Sequence, residues 1–361
     1  LAALALAPAP AAAQEPGEAA AVEEEEPPPT WRFKQADKPV KVVVLAGSVG
    51  AWQREPYADR FESLCRNIEV KNLSKVGYGA YQLKQRFKSQ VLENTRLGLH
   101  KRDDGQEFWL VFHGGLNSVA MPEQTNHHIR ALFETAHKRD FKVVALTLTP
   151  WGDDDDKRWR GARALEYVHD TRAVVDFVLG KLTPAQALGS HARKRSVEPD
   201  APWADSERPD VSVDLYNSSL RDAGAAVRDL DAMRDLLARD KDWKRAHKAL
   251  SEDERAAALE RDAALLAEIP RWYMRQELRS FDHIHPNTEG HRLIALEACP
   301  HLPESWGCSC PEAPPRPAGS APAPASSSTP DVDAAAKAAL FGQPYGHWGW
   351  LLLRVLLGAK V

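Results

Sequence analysis

The sequence predicts an α/β domain built on a parallel sheet that is covered on both faces. Two observations carry this. Four runs, VKVVVLAG, IEVKNLS, EFWLVFHGG and FKVVALTLTP, are mostly apolar and rich in β-branched or aromatic residues, and stretches of helical character separate them. A strand that faces solvent on one side alternates apolar and polar residues, whereas a strand packed on both sides has no reason to alternate, and crossover helices between such strands make the pairing parallel.

Taken in order, the strands fall near 40–47, 68–74, 107–115 and 141–150, with helices near 57–66, 81–93 and 124–138. Beyond residue 160 the strand signal stops. Leu220, Ala223, Val227, Leu230, Met233 and Leu237 recur every three or four residues, and Ser251 with Glu254 forms a capping box ahead of a further helical run. The stretch 160–280 therefore reads as a largely helical insertion, interrupted by a polar, Pro-containing loop near 189–211, either a cap over a site or, as the plainer expectation, a lateral packing layer.

The ends differ in composition from the centre. The first residues, LAALALAPAPAAAQEP, have a short apolar core followed by Ala11-Ala12-Ala13, the pattern of a truncated export signal. Residues 8–30 and 311–330 are rich in Pro, Ala, Ser and Glu and hold little to bury, so both read as solvated linkers. This gives three regions: 1–30 as leader and linker, 31–300 as the folded unit, and 301–361 as a Cys-containing loop, a second linker and a short apolar end. That end, GHWGWLLLRVLLGAKV, is too short and too interrupted by Arg354 to span a bilayer.

Among 361 residues, 47 basic side chains stand against 51 acidic ones, for a net charge of −4, which gives no electrostatic reason to expect nucleic acid or an anionic membrane as partner. Of the four cysteines, Cys299, Cys308 and Cys310 lie close together, and an exported chain would join Cys299 to Cys308 or Cys310. A zinc site would need more than the one nearby His301. No cofactor or metal is expected.

Three strands end in residues suited to chemistry: Gly47-Ser48 after the first, Asn72 through Gly77-Tyr78-Gly79 after the second, and Gly115-Leu116-Asn117 after the third. In open parallel sheets, sites form outside the carboxyl ends of the strands. A fourth element, FDHIHPNTEGHRLIALEAC, places Asp282 three residues before His285, with Pro286 in the first turn of a helix. Asp282 can orient the imidazole of His285, which can take the Ser48 proton, and the N–H groups of Ser48 and Gly77 with the side-chain amide of Asn117 can hold an oxyanion.

These four blocks, in this order, resemble the SGNH (GDSL-type) hydrolase family of esterases and lipases over residues 40–150 and 280–298. The resemblance implies a flavodoxin-like three-layer α/β/α fold, with Ser48 as nucleophile, Asp282 and His285 completing the triad, and Ser48, Gly77 and Asn117 as oxyanion donors. Two supporting aspartates of the family are replaced, since Ala46-Gly47-Ser48 stands for Gly-Asp-Ser and Asn117-Ser118 for Asn-Asp. Ala46–Gly50 and His113-Gly114-Gly115 also resemble the nucleophile elbow and oxyanion loop of α/β-hydrolases, but their order is reversed relative to that fold.

The expected function is an exported serine ester hydrolase acting on a small-molecule, lipid or acylated-glycan ester. Transfer of the acyl group to a sugar, or binding of glycan or envelope without catalysis, are the alternatives. Nearby residues have plainer readings: His283 lacks an Asp three residues upstream, His291 should lie on the helix in a solvated or substrate-adjacent place, Trp151 is a core aromatic, and the run Asp153–Asp156 is a solvated loop.

Overall fold

The computed structural model describes residues 33–311 except 36, 52–54, 95–104, 196–197 and 199. The leader, the Pro/Ala-rich linkers and the apolar end anticipated from the sequence lie outside the described residues. All four anticipated strands form: β1 (Val40–Ala46), β2 (Ile68–Asn72), β3 (Glu107–His113) and β4 (Phe141–Leu146). A fifth, β5 (Val211–Val213), pairs with β4 over three residues only and lies inside the stretch read as helical. Ordinary strand patterns span more residues than VSV offers, so its identity comes from the ladder and not from its own sequence.

The sheet order is β2-β1-β3-β4-β5 and every pairing is parallel. Helices cover both faces, and each strand divides its side chains between them. Val43 and Leu45 of β1, with Leu110 and Phe112 of β3, face a core that includes α3 (Ala80–Arg86), α4 (Pro122–His137) and α5 (Ala162–Val178). Val42 and Val44, with Trp109 and Val111, face a second core closed by α2 (Tyr57–Leu64) and α11 (Thr288–Ala298). All seven residues of β1 are buried, which is why the run lacks polar alternation.

Strand order is what makes a cleft. The chain leaves β1 toward β2 on one side and returns to place β3 on the other, so the turns that follow β1 and β3 diverge at the carboxyl edge. A four-residue helix, α1 (Ser48–Ala51), begins at that divide.

The insertion contains α5, α6 (Pro184–Leu188), α7 (Ser190–Lys194), α8 (Leu230–Arg239), α9 (Lys241–Ala246) and α10 (Glu252–Glu268). The Ser251/Glu254 capping box forms in both directions. The series of six apolar residues from Leu220 does not mark one helix. Asp229 caps α8 through its side chain, and the preceding residues include an isolated bridge from Arg221 to Met274, with Val227 exposed. The Asp229 cap starts α8 anew, although Leu220 and Leu237 at the two ends of the series are both buried.

Two disulfides close the fold. Cys299 pairs with Cys310, one of the two anticipated choices, while Cys308 pairs with the distant Cys65 at the end of α2. The sequence separations are 243 and 11. In the chain-entropy description the long closure contributes about 5 kcal/mol and the short one about 3 kcal/mol. Replacing Cys65 and Cys308 together by Ala is thus expected to lower the denaturation midpoint more than replacing Cys299 and Cys310 together, as read by urea titration.

Candidate active site

A cleft of about 270 Å³, open to solvent, sits at the carboxyl edge where β1 and β3 part. Its walls come from the turns after four strands: Gly47, Ser48 and Val49 after β1, Tyr78 after β2, Gly114 to Asn117 after β3, and Leu148 with Thr149 after β4. Ser48 and Asn117 are thereby brought to one place.

The glycines flanking Ser48 are explained by crowding. A Cβ on Gly50 would stand 2.5 Å from the Cβ of Ala46 and 2.7 Å from the Ser74 hydroxyl, so the chain can turn into α1 only without a side chain there. At Gly47 a Cβ would lie 3.1 Å from the Tyr78 carbonyl and 3.5 Å from Asn117 Nδ2. The Gly47 N–H donates to the His113 carbonyl at 3.2 Å, and the Ser74 hydroxyl accepts from Ala46 N–H at 3.1 Å. Asn72 Nδ2 donates to the Gly50 carbonyl at 3.0 Å, tying β2 to the far end of α1.

Asn117 sits in a short 3₁₀ turn entered through Gly115, whose φ of 115° is in the left-handed region. Its amide donates to the Tyr78 carbonyl at 3.2 Å, linking the second and third turns across the cleft. Ser118, where the resembled family has aspartate, holds the surrounding turns together, since its hydroxyl accepts from Ala80 N–H and from the Thr125 hydroxyl. Gly77 has φ 79°, is exposed and is not part of the cleft wall; Tyr78, one residue on, is.

Asp282 and His285 form a compact turn before α11. Asp282 Oδ1 accepts from the N–H groups of Ile284 and His285, each at 3.1 Å, while Oδ2 is hydrogen-bonded to His285 Nδ1. Burial by itself would raise the Asp282 carboxyl, but these hydrogen bonds from His285 and Ile284 prevail and hold it below its ordinary value. Asn287 caps α11, accepting from Gly290 N–H at 2.9 Å. Pro286 therefore precedes the cap and does not occupy the first helical turn, because the Asn287 side chain claims the cap.

This turn is fastened to the loop after β4. Arg279 donates to the Gly152 carbonyl at 3.0 Å, Gly152 N–H donates to the His283 carbonyl at 3.0 Å, and His283 Nδ1 lies 2.8 Å from Asp153 Oδ2. So the Asp282–His285 turn is docked at the same sheet edge as the cleft. Among the described residues no hydrogen bond joins the Ser48 hydroxyl to His285.

The plainer readings divide. Trp151 is buried in the core. The aspartate run is occupied in caps and ion pairs: Asp153 accepts from the N–H groups of Asp155 and Asp156, Asp154 pairs with Arg228, and Asp156 with Arg158. No group of three or more His, Cys, Asp or Glu is arranged to hold a metal among the described residues. His291 is on α11 but fully buried, contrary to the solvated placement, because it faces α2 across the second core. Tyr78, from the Gly77-Tyr78-Gly79 turn, and His113, from the His-Gly-Gly run, line the cleft too; Thr149 also lines it and had only its position at a strand end to flag it.

No family model matches the chain, and no curated protein matches it. Many of the solved structures that it resembles are GDSL lipolytic proteins and acetylxylan esterases. They include a GDSL-like lipase from Bacteroides thetaiotaomicron, 14% identical over 72% of this chain and 84% of that one, with a TM-score of 0.37. A member of the lipolytic G-D-S-L family from Veillonella parvula is 11% identical over 72% and 96% of the two chains, at a TM-score of 0.36. An acetylxylan esterase from Geobacillus stearothermophilus is 13% identical over 74% and 94%, at 0.35.

Two outcomes follow from the geometry. Gly50→Ala is expected to destabilise the fold by about 2 kcal/mol or more, the order of an overpacked site, as measured by chemical denaturation. For Asp282 the folded carboxyl lies below its unfolded value of 3.8, so the stability it confers is present above that pH and is lost as pH falls through the folded value. The stability difference between wild type and Asp282→Asn should then be constant at neutral pH and shrink below pH 3.8, as followed by denaturation across pH.

Proposed function

We propose that the protein is a serine ester hydrolase. In this reading Ser48 attacks the ester carbonyl, His285 accepts its proton and returns it to the leaving alcohol, and Asp282 fixes the imidazole with Nε2 available to the nucleophile. The Ser48 N–H and the Asn117 amide, both on the cleft wall, hold the oxyanion, each such donor being worth about 3 kcal/mol in the transition state, whereas Gly77 lies outside that wall and is left out of the set. Water then repeats the sequence on the acyl-enzyme.

The observation that carries the reading is the Asp282–His285 pair. A carboxylate that accepts two backbone N–H groups and the imidazole N–H is a rigid orienting device, and it is docked on the sheet edge that holds Ser48 in a cleft. Only Val49, Leu116 and Leu148 give the cleft aliphatic side chains, little apolar wall for a long chain to lie on, which supports a short acyl group over a long one. Two disulfides, with no free cysteine among the described residues, support an oxidising location and hence export.

One observation favours a second reading, glycan or envelope binding without turnover: Ser48 and His285 are not hydrogen-bonded to one another. Unliganded sites often tighten such bonds only on binding substrate. Turnover of p-nitrophenyl acetate decides between the two. Hydrolysis that falls on the order of 10³-fold or more in Ser48→Ala supports the esterase; absence of Ser48-dependent hydrolysis, with glycan binding retained, supports the binder. The acetate ester should be cleaved at least about tenfold faster than the palmitate ester, a preference for the smaller acyl group that corresponds to roughly 1.4 kcal/mol.

A further inference from the structure

Behind the Ser48 turn, three polar rings are buried together. Tyr57 on α2 and His291 on α11 are 0% exposed, and His113 at the end of β3 is 2% exposed. Tyr57 is their hub. Its backbone N–H donates to His291 Nδ1 at 3.4 Å, its hydroxyl shares a hydrogen bond with His113 Nδ1 at 3.2 Å, and its ring lies against both imidazoles, with centroids 6.1 and 5.4 Å away.

Each element meeting at Tyr57 carries part of the proposed machinery. Helix α11 continues directly from the Asp282–His285 turn. Strand β3 leads into Asn117, and its last residue, His113, accepts the Gly47 N–H through its carbonyl. Gly50, two residues past Ser48, lies so close that a Cβ there would stand 3.2 Å from the Tyr57 hydroxyl, so the turn rests on the phenol.

Packing alone does not call for these side chains. Apolar residues of similar volume would fill the space without the cost of desolvating polar groups, and buried polar groups are tolerated only when bonded. What the hydrogen bonds add is direction, because they fix the mutual orientation of three elements more narrowly than non-directional apolar contacts do. Burial, with His291 beside it, pushes the His113 imidazole down to about 3, so it sits neutral in this contact.

We propose that Tyr57 is a positioning residue which, through His113 and His291, sets the Ser48 turn against the Asp282–His285 turn. The proposal rests on the esterase reading, and its tests include one that needs no turnover. Tyr57→Phe removes only the hydroxyl. It should lower kcat on p-nitrophenyl acetate about tenfold while KM stays within about twofold, since small misplacements of reacting groups cost rate more than binding. His113→Leu should behave likewise, and His113→Asn, which keeps a polar atom near the Nδ1 position, should recover most of the loss. Leu296→Ala, a core truncation on α11 without a bond to the three rings, should lower the melting temperature and leave kcat within about twofold, a loss of packing with the reacting groups still in place.

Amide resonances supply the independent readout. In Tyr57→Phe, which removes the hydroxyl bond to His113, those of 48–50 should shift; in His291→Leu, which removes the bond from the Tyr57 N–H, those of 282–285 should shift. The proposal is overturned if Tyr57→Phe keeps wild-type kcat, if Leu296→Ala loses as much kcat as Tyr57→Phe, or if the resonances of 282–285 do not respond to His291→Leu. Should the wild type show no Ser48-dependent hydrolysis, the esterase reading fails while the resonances still judge the positioning role.

Discussion

The position of β1 in the sheet governs everything else. With β2 on one side and β3 on the other, the turns leaving β1 and β3 cannot run together, and the gap between them is the cleft. Backbone pairing enforces this through a seven-residue register between β1 and β3, from Val40 opposite Glu107 to Ala46 opposite His113. Because that register ends at Ala46 and His113, the residues that follow the two strands face each other across the opening. Ser48 and Asn117 are neighbours by virtue of strand pairing, not of any direct bond between them.

The return of the chain supplies the second half. After the helical insertion, the turn before α11 is held from below by Asn287, whose amide donates to the carbonyls of Glu277 and Arg279, and from the side by Arg279 and His283 on the β4 loop. Within that frame Asp282 uses three acceptor contacts on its own turn. The imidazole is therefore oriented locally, while on this account its placement relative to Ser48 is set where α11 meets α2 through the bond from Tyr57 N–H to His291. Local chemistry and global packing thus divide the work between different residues, and the buried rings around Tyr57 lie where the two meet.

Much of this was legible in the chain. The four long strands announced themselves because burial on both faces removes polar alternation, and the candidate residues could be found because each stands just past such a strand or in an Asp-x-x-His turn. What could not be read has identifiable causes. Val211–Val213 is too short to carry a pattern, and Asp229 overrode an apolar spacing that looked helical from Leu220. The partner of Cys308 lies 243 residues away, a separation on which local spacing is silent. The burial of His291 follows from the packing of α11 on α2, which no single-helix pattern encodes.

The account depends on a serine made nucleophilic by its surroundings, and covalent capture tests that most directly. After treatment of the full chain with a fluorophosphonate, peptide mass spectrometry should find one adduct, on Ser48, formed far more slowly in His285→Ala. Failure of the native protein to react, or an adduct on another residue with Ser48 untouched, would contradict it.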